Sequence, residues 1–126
     1  MKKRMWGSLL AAAFTSILVT APTASAAPDP EGCTKGNFCV YSNANFTGLV
    51  LRSGGDWSGS VPFRSIFNNG VPYPGLDHIE VHWHWAGDTT RVQCLHYNPD
   101  PNGHSMVADY PGAQAYVTKV RWRGEC

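Results

Sequence analysis

Between His78 and Trp85 the chain alternates His78, Glu80, His82 and His84 with Ile79, Val81, Trp83 and Trp85. Imidazoles and carboxylates are the donors of zinc sites and the proton carriers of hydrolases, so chemistry is first sought here. Strand side chains point alternately to two faces, which gathers the imidazoles and Glu80 on one face and the apolar residues on the other. Same-face neighbours stand about 6.5–7 Å apart, so His82 and His84 can share an ion only with a third ligand from another strand. Glu80, His96 and His104 are conceivable third ligands, and His78 lies too far along to join both. An antiparallel sheet with one solvated face produces the same polar row without a metal. That simpler reading is adopted, and no metal or other cofactor is expected.

Other catalytic patterns are missing from the sequence. There is no Gly-x-Ser-x-Gly elbow and no His-Glu-x-x-His pair. Asp56, Asp77, Glu80, Asp88 and Asp109 supply carboxylates, but no spacing defines a catalytic pair. The chain is therefore not expected to be an enzyme.

The ends place the protein. Lys2, Lys3 and Arg4 precede an apolar run from Met5 to Val19, and Ala24-Ser25-Ala26 precedes Ala27. A basic start, an apolar middle and small residues at the end make residues 1–26 a secretory signal peptide. The run is shorter than the roughly 20 apolar residues a membrane span needs. Residues 27–126 then form one domain, expected to be secreted, extracellular, monomeric and off the membrane once the leader is removed. Ten basic residues face nine acidic ones, and three of the basic ones lie in the leader. The exported part is thus slightly acidic and has no basic stripe, which argues against nucleic acid or anionic lipid as partners.

Cys33, Cys39, Cys94 and Cys126 all lie in the exported part, and an even count in a small secreted domain reads as two disulfides. Three pairings are open; Cys33–Cys39 with Cys94–Cys126 is favoured because each bridge then staples one half. A four-cysteine zinc site would need paired Cys-x-x-Cys knuckles, which are absent.

No window after the leader sustains helical periodicity. NFCVYS, LVLRS, RSIFN, HIEVHWHW, VQCLHY and YVTKVRW are short and rich in aromatic and β-branched residues. Clusters such as SGGDWSGS, NNGVPYPG and NPDPNG read as turns between them. The spacing predicts an all-β sandwich or barrel. A faint repeat sets Phe38-Cys39-Val40-Tyr41 beside Cys94-Leu95-His96-Tyr97, each followed by a turn and a glycine. Residues 64–68 and 118–122 would close the two halves, which pack face to face because neither can bury a core alone.

Cys33, Gly36, Phe38, Cys39, Tyr41, Phe46 and Gly48, with the spacing Tyr41-x4-Phe46-x-Gly48 and the closing VRWRGEC, resemble the secreted actinobacterial proteins of peptidase inhibitor family I36. The resemblance implies an all-β, βγ-crystallin-like sandwich of two Greek-key motifs, stapled by disulfides. In it the two aromatics pack across a folded hairpin, and a glycine supplies a backbone conformation that other residues resist. The second half departs from this pattern: Asn102 follows Tyr97 where an aromatic is expected, and Gly103 falls one residue early. The Thr-Ser or Ser-Ser pair of calcium-binding relatives is also missing, so no calcium site of that kind is expected.

The resemblance further implies an extracellular protease as partner, of the thermolysin-type metalloprotease class, blocked by a substrate-like segment. Such enzymes favour a bulky apolar residue after the scissile bond, which singles out Cys94-Leu95, Gly75-Leu76, Gly70-Val71 and Met106-Val107. Cys94-Leu95 is preferred because a bridge at Cys94 would retain both ends after cleavage. The stretch around Val71, Tyr73 and Leu76, stiffened by Pro72 and Pro74, is the exposed alternative. A second reading makes the protein a carbohydrate- or cell-wall-binding module, with members of Trp57, Tyr73, Trp83, Trp85 and Trp122 stacking on sugar rings.

Overall fold

The computed structural model describes residues 11–20, 28–98 and 103–126. The basic start of the leader, Ala24-Ser25-Ala26 and Asn102 lie outside them. Residues 11–20 are exposed and without regular structure, and no helix among the described residues is long and apolar enough to cross a membrane.

Eight strands run in the order β1 (Asn37–Tyr41), β2 (Leu49–Ser53), β3 (Trp57–Phe63), β4 (Ser65–Asn69), β5 (His78–Trp85), β6 (Arg91–Leu95), β7 (Ser105–Val107) and β8 (Ala115–Arg123). They form two four-stranded antiparallel sheets, β2-β1-β4-β7 and β3-β8-β5-β6. Each half of the chain builds three strands of one sheet and lends its third strand, β3 or β7, to the edge of the other. The halves are thus interlocked as well as packed face to face, the crossed arrangement of a βγ-crystallin-like pair of Greek keys.

This topology corrects the register of the repeat. Strands at equivalent places in the two sheets are β1 with β5, β2 with β6, β3 with β7 and β4 with β8. The counterpart of Phe38–Tyr41 is therefore β5, not Cys94–Tyr97. The second-half turn equivalent to the folded hairpin lies between β5 and β6, where Asp88 N–H donates to the Trp85 carbonyl at 2.9 Å. It is short and has no aromatic of its own.

Strand β3 sits within a stretch that reads as turn. Its exposed Ser58, Gly59 and Ser60 carry no hydrophobic alternation, and its pairing with β8 is interrupted by a bulge between Ser58 and Val61. Pro62 is tolerated because β3 is an edge strand, where a missing N–H can face away from the ladder. Strand β7 is too short, at three residues, to show a period.

The main core fills the space between the sheets with Phe38, Val40, Ile66, Ile79, Val81, Val117 and Val120, all fully buried. The sheet containing β1 and β4 is covered on its outer face too. There Cys33, Cys39, Tyr41 and Phe67 form a second cluster against Phe46. The Cys33–Cys39 bridge and the N-terminal segment build this cover, held by the Tyr41 hydroxyl donating to the Glu31 carbonyl at 2.9 Å and Asn69 Nδ2 donating to the Cys33 carbonyl at 2.8 Å. The second bridge, Cys94–Cys126, ties β6 to the chain end beyond β8.

The folded hairpin forms as its spacing predicts. Tyr41 and Phe46 meet edge to face at 6.1 Å, and Gly48 adopts φ +72°, where a Cβ would collide with the Ser42 hydroxyl. Burial pushes the Tyr41 phenol up to about 12, with the charges of Glu31 and Asp29 adding to the shift. The unfolded chain releases this proton near pH 10 while the folded protein holds it to about pH 12, so the native state binds more protons in that window. Stability attributable to Tyr41 is accordingly complete below pH 10 and lost as pH rises towards 12. Urea unfolding of wild type and Tyr41→Phe should show a steeper alkaline decline in wild type.

Candidate functional site

Between β4 and β5, residues 70–77 leave the sandwich as a loop whose ends are fixed by two buried side chains. Asn68 is fully buried, and Asp77 is 3% exposed. Asn68 Oδ1 accepts from Gly70 N–H at 2.9 Å, while its Nδ2 donates to the carbonyls of Asp77 at 3.0 Å and Leu95 at 3.2 Å. One amide thereby clamps the entry and exit of the loop and fastens both to β6. From the other side, Asp77 Oδ2 accepts Tyr73 N–H at 3.0 Å.

Within the loop, Leu76 N–H donates to the Tyr73 carbonyl at 3.0 Å. Pro74 and Gly75 are the central residues of this turn, and Gly75 has φ +93°, the positive value that a type II turn requires at its third position. Gly124 lies close beneath: a Cβ there would come within 3.1 Å of the Gly75 Cα. The loop is ordered by its own hydrogen bonds and by the C-terminal segment below it.

What it presents is apolar. Val71, Tyr73 and Leu76 are 50%, 62% and 54% exposed. They border a groove of about 380 Å³ that also takes in Trp122, Asp56 and Gly54. Asp56 does not face it as a free charge alone, since its Oδ1 accepts Trp122 N–H at 2.8 Å.

The other candidate bonds are placed differently. Cys94-Leu95 lies inside β6, where Leu95 pairs with Ile79 and its side chain is 2% exposed. A protease pocket cannot receive that side chain without opening the core. Met106 is likewise buried, although Val107 on edge strand β7 is exposed. Gly70 is packed against Asn68 and Trp122, and Gly75-Leu76 occupies the turn. Of the residues proposed from sequence, Val71, Tyr73 and Leu76 are brought together at the surface.

The histidine row is divided. Contrary to its expected place on a wet face, His78 is fully buried, bonded through Nδ1 to Asp77 Oδ1 at 2.6 Å and through Nε2 to His96 Nδ1 at 2.9 Å. His82 Nε2 meets Glu80 Oε1 at 2.6 Å, and Glu80 Oε2 accepts from Arg123 at 3.1 Å. The hydrogen bond from His82 is the main cause holding the Glu80 carboxyl below its ordinary range, with His82, Arg123 and Arg121 charges adding to it. His84 instead bonds the Trp85 carbonyl and stacks on Tyr116 at 5.6 Å. His82 and His84 are thus engaged separately, and neither belongs to a group of three metal-capable side chains among the described residues.

The tryptophans are mostly spent on packing. Trp83 is buried, while Trp57, Trp85 and Trp122 lie half-buried against the core.

Residues 26–73 match the model of peptidase inhibitor family I36. The matched stretch holds β1 to β4, the Cys33–Cys39 bridge, the folded hairpin and the loop as far as Tyr73, and it agrees with the family resemblance of the sequence. Because the family is one of peptidase inhibitors, the match supports an inhibitor role and points away from catalysis. No curated protein and no solved structure matched the chain.

Proposed function

We propose that the protein is a secreted inhibitor of extracellular proteases of the thermolysin-type metalloprotease class, acting as a monomer through the loop from Val71 to Leu76. The carrying observation is the clamping of that loop by Asn68 and Asp77 with its apolar side chains turned outward. A segment ordered before binding loses less conformational entropy when a cleft closes on it. The same order resists the bending needed for cleavage, so the protein occupies the enzyme without being consumed. Two disulfides and the signal sequence suit an oxidising, protease-rich exterior.

Tyr73 is the single aromatic of the loop, is exposed, and is the natural anchor for an enzyme pocket. Truncating such an anchor typically removes at least about 2 kcal/mol of binding, roughly 30-fold in affinity. Tyr73→Ser is therefore expected to raise the inhibition constant against a thermolysin-type metalloprotease by about that factor while leaving the melting temperature unchanged. An unchanged inhibition constant in the folded variant would remove the loop from the interface.

A further inference from the structure

Strand β8 alternates in charge as well as in burial. Lys119 and Arg121 are exposed and flank the buried Val120, so both stand on the outer face of the sheet, where same-face neighbours lie about 6.5–7 Å apart. Every other lysine and arginine among the described residues is already engaged. Lys35 meets Asp29 at 3.3 Å, Arg64 meets Asp109 at 3.7 Å, Arg91 meets Asp88 at 3.2 Å and Arg123 meets Glu80 at 3.1 Å. Arg52 donates to the Gly32 carbonyl at 3.0 Å. Lys119 and Arg121 have no such partner among the described residues. Glu80 faces Arg121 across the ladder, but its two oxygens are divided between His82 and Arg123.

The two unengaged cations line one groove of about 320 Å³ together with Asp56, Trp57 and Ser58. Ser58 is directly opposite Lys119 in the β3-β8 ladder, which places it on the same face. Asp56 Oδ1 accepts Trp122 N–H at 2.8 Å, and its second oxygen can accept from a ligand hydroxyl. One carboxylate against two cations leaves the groove net positive. Lysine and arginine make charge-assisted hydrogen bonds to oxyanions, while the serine and the aspartate suit hydroxyl groups. An indole adds an apolar surface. An acidic sugar residue, with its carboxylate or sulfate, its ring hydroxyls and its apolar ring face, satisfies all of these at once. A nucleic acid is a poorer fit, because two cations fall well short of the roughly 6–10 phosphate contacts of strong charge-driven binders.

We propose that Lys119 and Arg121, with Asp56, Trp57 and Ser58, bind an anionic sugar residue of an extracellular acidic polysaccharide. Lys119 and Arg121 neutralise the carboxylate or sulfate, Ser58 and Asp56 bond ring hydroxyls, and Trp57 supplies an apolar contact to the ring. Asp56 also borders the groove beside the Val71–Leu76 loop, whereas Tyr73 and Leu76 do not line the basic groove. Anchorage here holds the chain at an anionic cell surface or matrix and leaves the loop uncovered. The site stands on its own residues and does not require the inhibitor reading.

The test is isothermal titration of the purified, fully bridged protein with four probes: an oligogalacturonide, a heparin-derived oligosaccharide, a neutral chitin oligomer and a single-stranded oligonucleotide of matched charge. Sub-millimolar binding of the uronate or the sulfated oligomer is the expected result, and whichever binds identifies the anionic group. Two ionic contacts predict a loss of about tenfold in affinity between about 50 and 200 mM salt. The double variant Lys119→Ser with Arg121→Ser alters exposed side chains only, so it should keep the wild-type melting temperature and lose at least about tenfold in affinity at the lower salt. Arg52→Ser, which removes a cation engaged elsewhere, should bind as wild type does. Failure of both acidic oligomers to bind, equal binding of the neutral oligomer, tighter binding of the oligonucleotide, or an affinity unchanged in the double variant would each overturn the assignment.

Discussion

Asn68→Ala is expected to lower unfolding stability by about 3 kcal/mol and to turn the inhibitor into a substrate. The stability loss follows from what the amide satisfies: Gly70 N–H and the carbonyls of Asp77 and Leu95 all depend on it. Removing one partner from a buried hydrogen bond costs about 1–3 kcal/mol for the group left behind, and the small side chain leaves space that water can only partly fill. The functional consequence is separate. Without the clamp, the loop keeps only the Asp77–Tyr73 and Tyr73–Leu76 hydrogen bonds and the C-terminal segment beneath it, and the exposed Val71–Leu76 stretch can bend into a cleavable conformation. Incubation with a thermolysin-type metalloprotease, followed by mass spectrometry of the inhibitor, should show cuts within residues 70–77 in the variant under conditions where wild type stays whole. Asn68→Asp should behave at least as badly, since a carboxylate would face the two carbonyls that the amide now bonds.

The second large effect concerns Cys94 and Cys126. Their bridge closes a sequence separation of 32 residues, for which the loop-entropy account gives about 3–4 kcal/mol of stabilisation. A domain this small has total stability on the order of 5–10 kcal/mol, so the double variant Cys94→Ala with Cys126→Ala loses a large share of it. The loss should be visible as a lower urea midpoint. Gly124 packs beneath Gly75, and a frayed tail would withdraw that support from the turn. Inhibition should therefore weaken at temperatures where the variant is still folded, and rapid exchange of the Leu76 amide would accompany it. Retention of wild-type stability would mean that the interlocked sheets alone set the strength of the fold.

The sequence carries the sandwich well where side chains alternate and poorly where they do not. Phe38 to Tyr41, His78 to Trp85 and the strand ending at Trp122 are legible because each has a clear period or a dense apolar run. Trp57 to Phe63 is hidden because serine, glycine and proline there have turn propensity, and its strand form comes entirely from pairing with β8. The repeat register is misled by the resemblance of two Cys-containing runs, whereas the strand exchange that relates β1 to β5 is a long-range property. The pairing of cysteines matches the expectation that each bridge staples its own half.

The loop shows the same division. Exposure of Val71, Tyr73 and Leu76 is suggested by Pro72 and Pro74, which have no N–H to continue a ladder, and by Gly75, which favours a turn. The parts that make the loop rigid are concealed: Asn68 and Asn69 look like turn residues in NNGVPYPG, yet both are buried and bonded to distant backbone. Alternation also predicts a wet His78, but strand ends from elsewhere in the chain cover it. Period two assigns a face; it does not say what lies over that face.

The most direct measurement is residual activity of a thermolysin-type metalloprotease titrated with the purified, bridged protein, read together with the integrity of the added chain. Activity should fall to near zero as the protein reaches equivalence or modest excess, with residues 70–77 uncut. Full activity at micromolar excess, or disappearance of the protein by digestion while the enzyme keeps turning over, would contradict inhibition by a loop made rigid in advance.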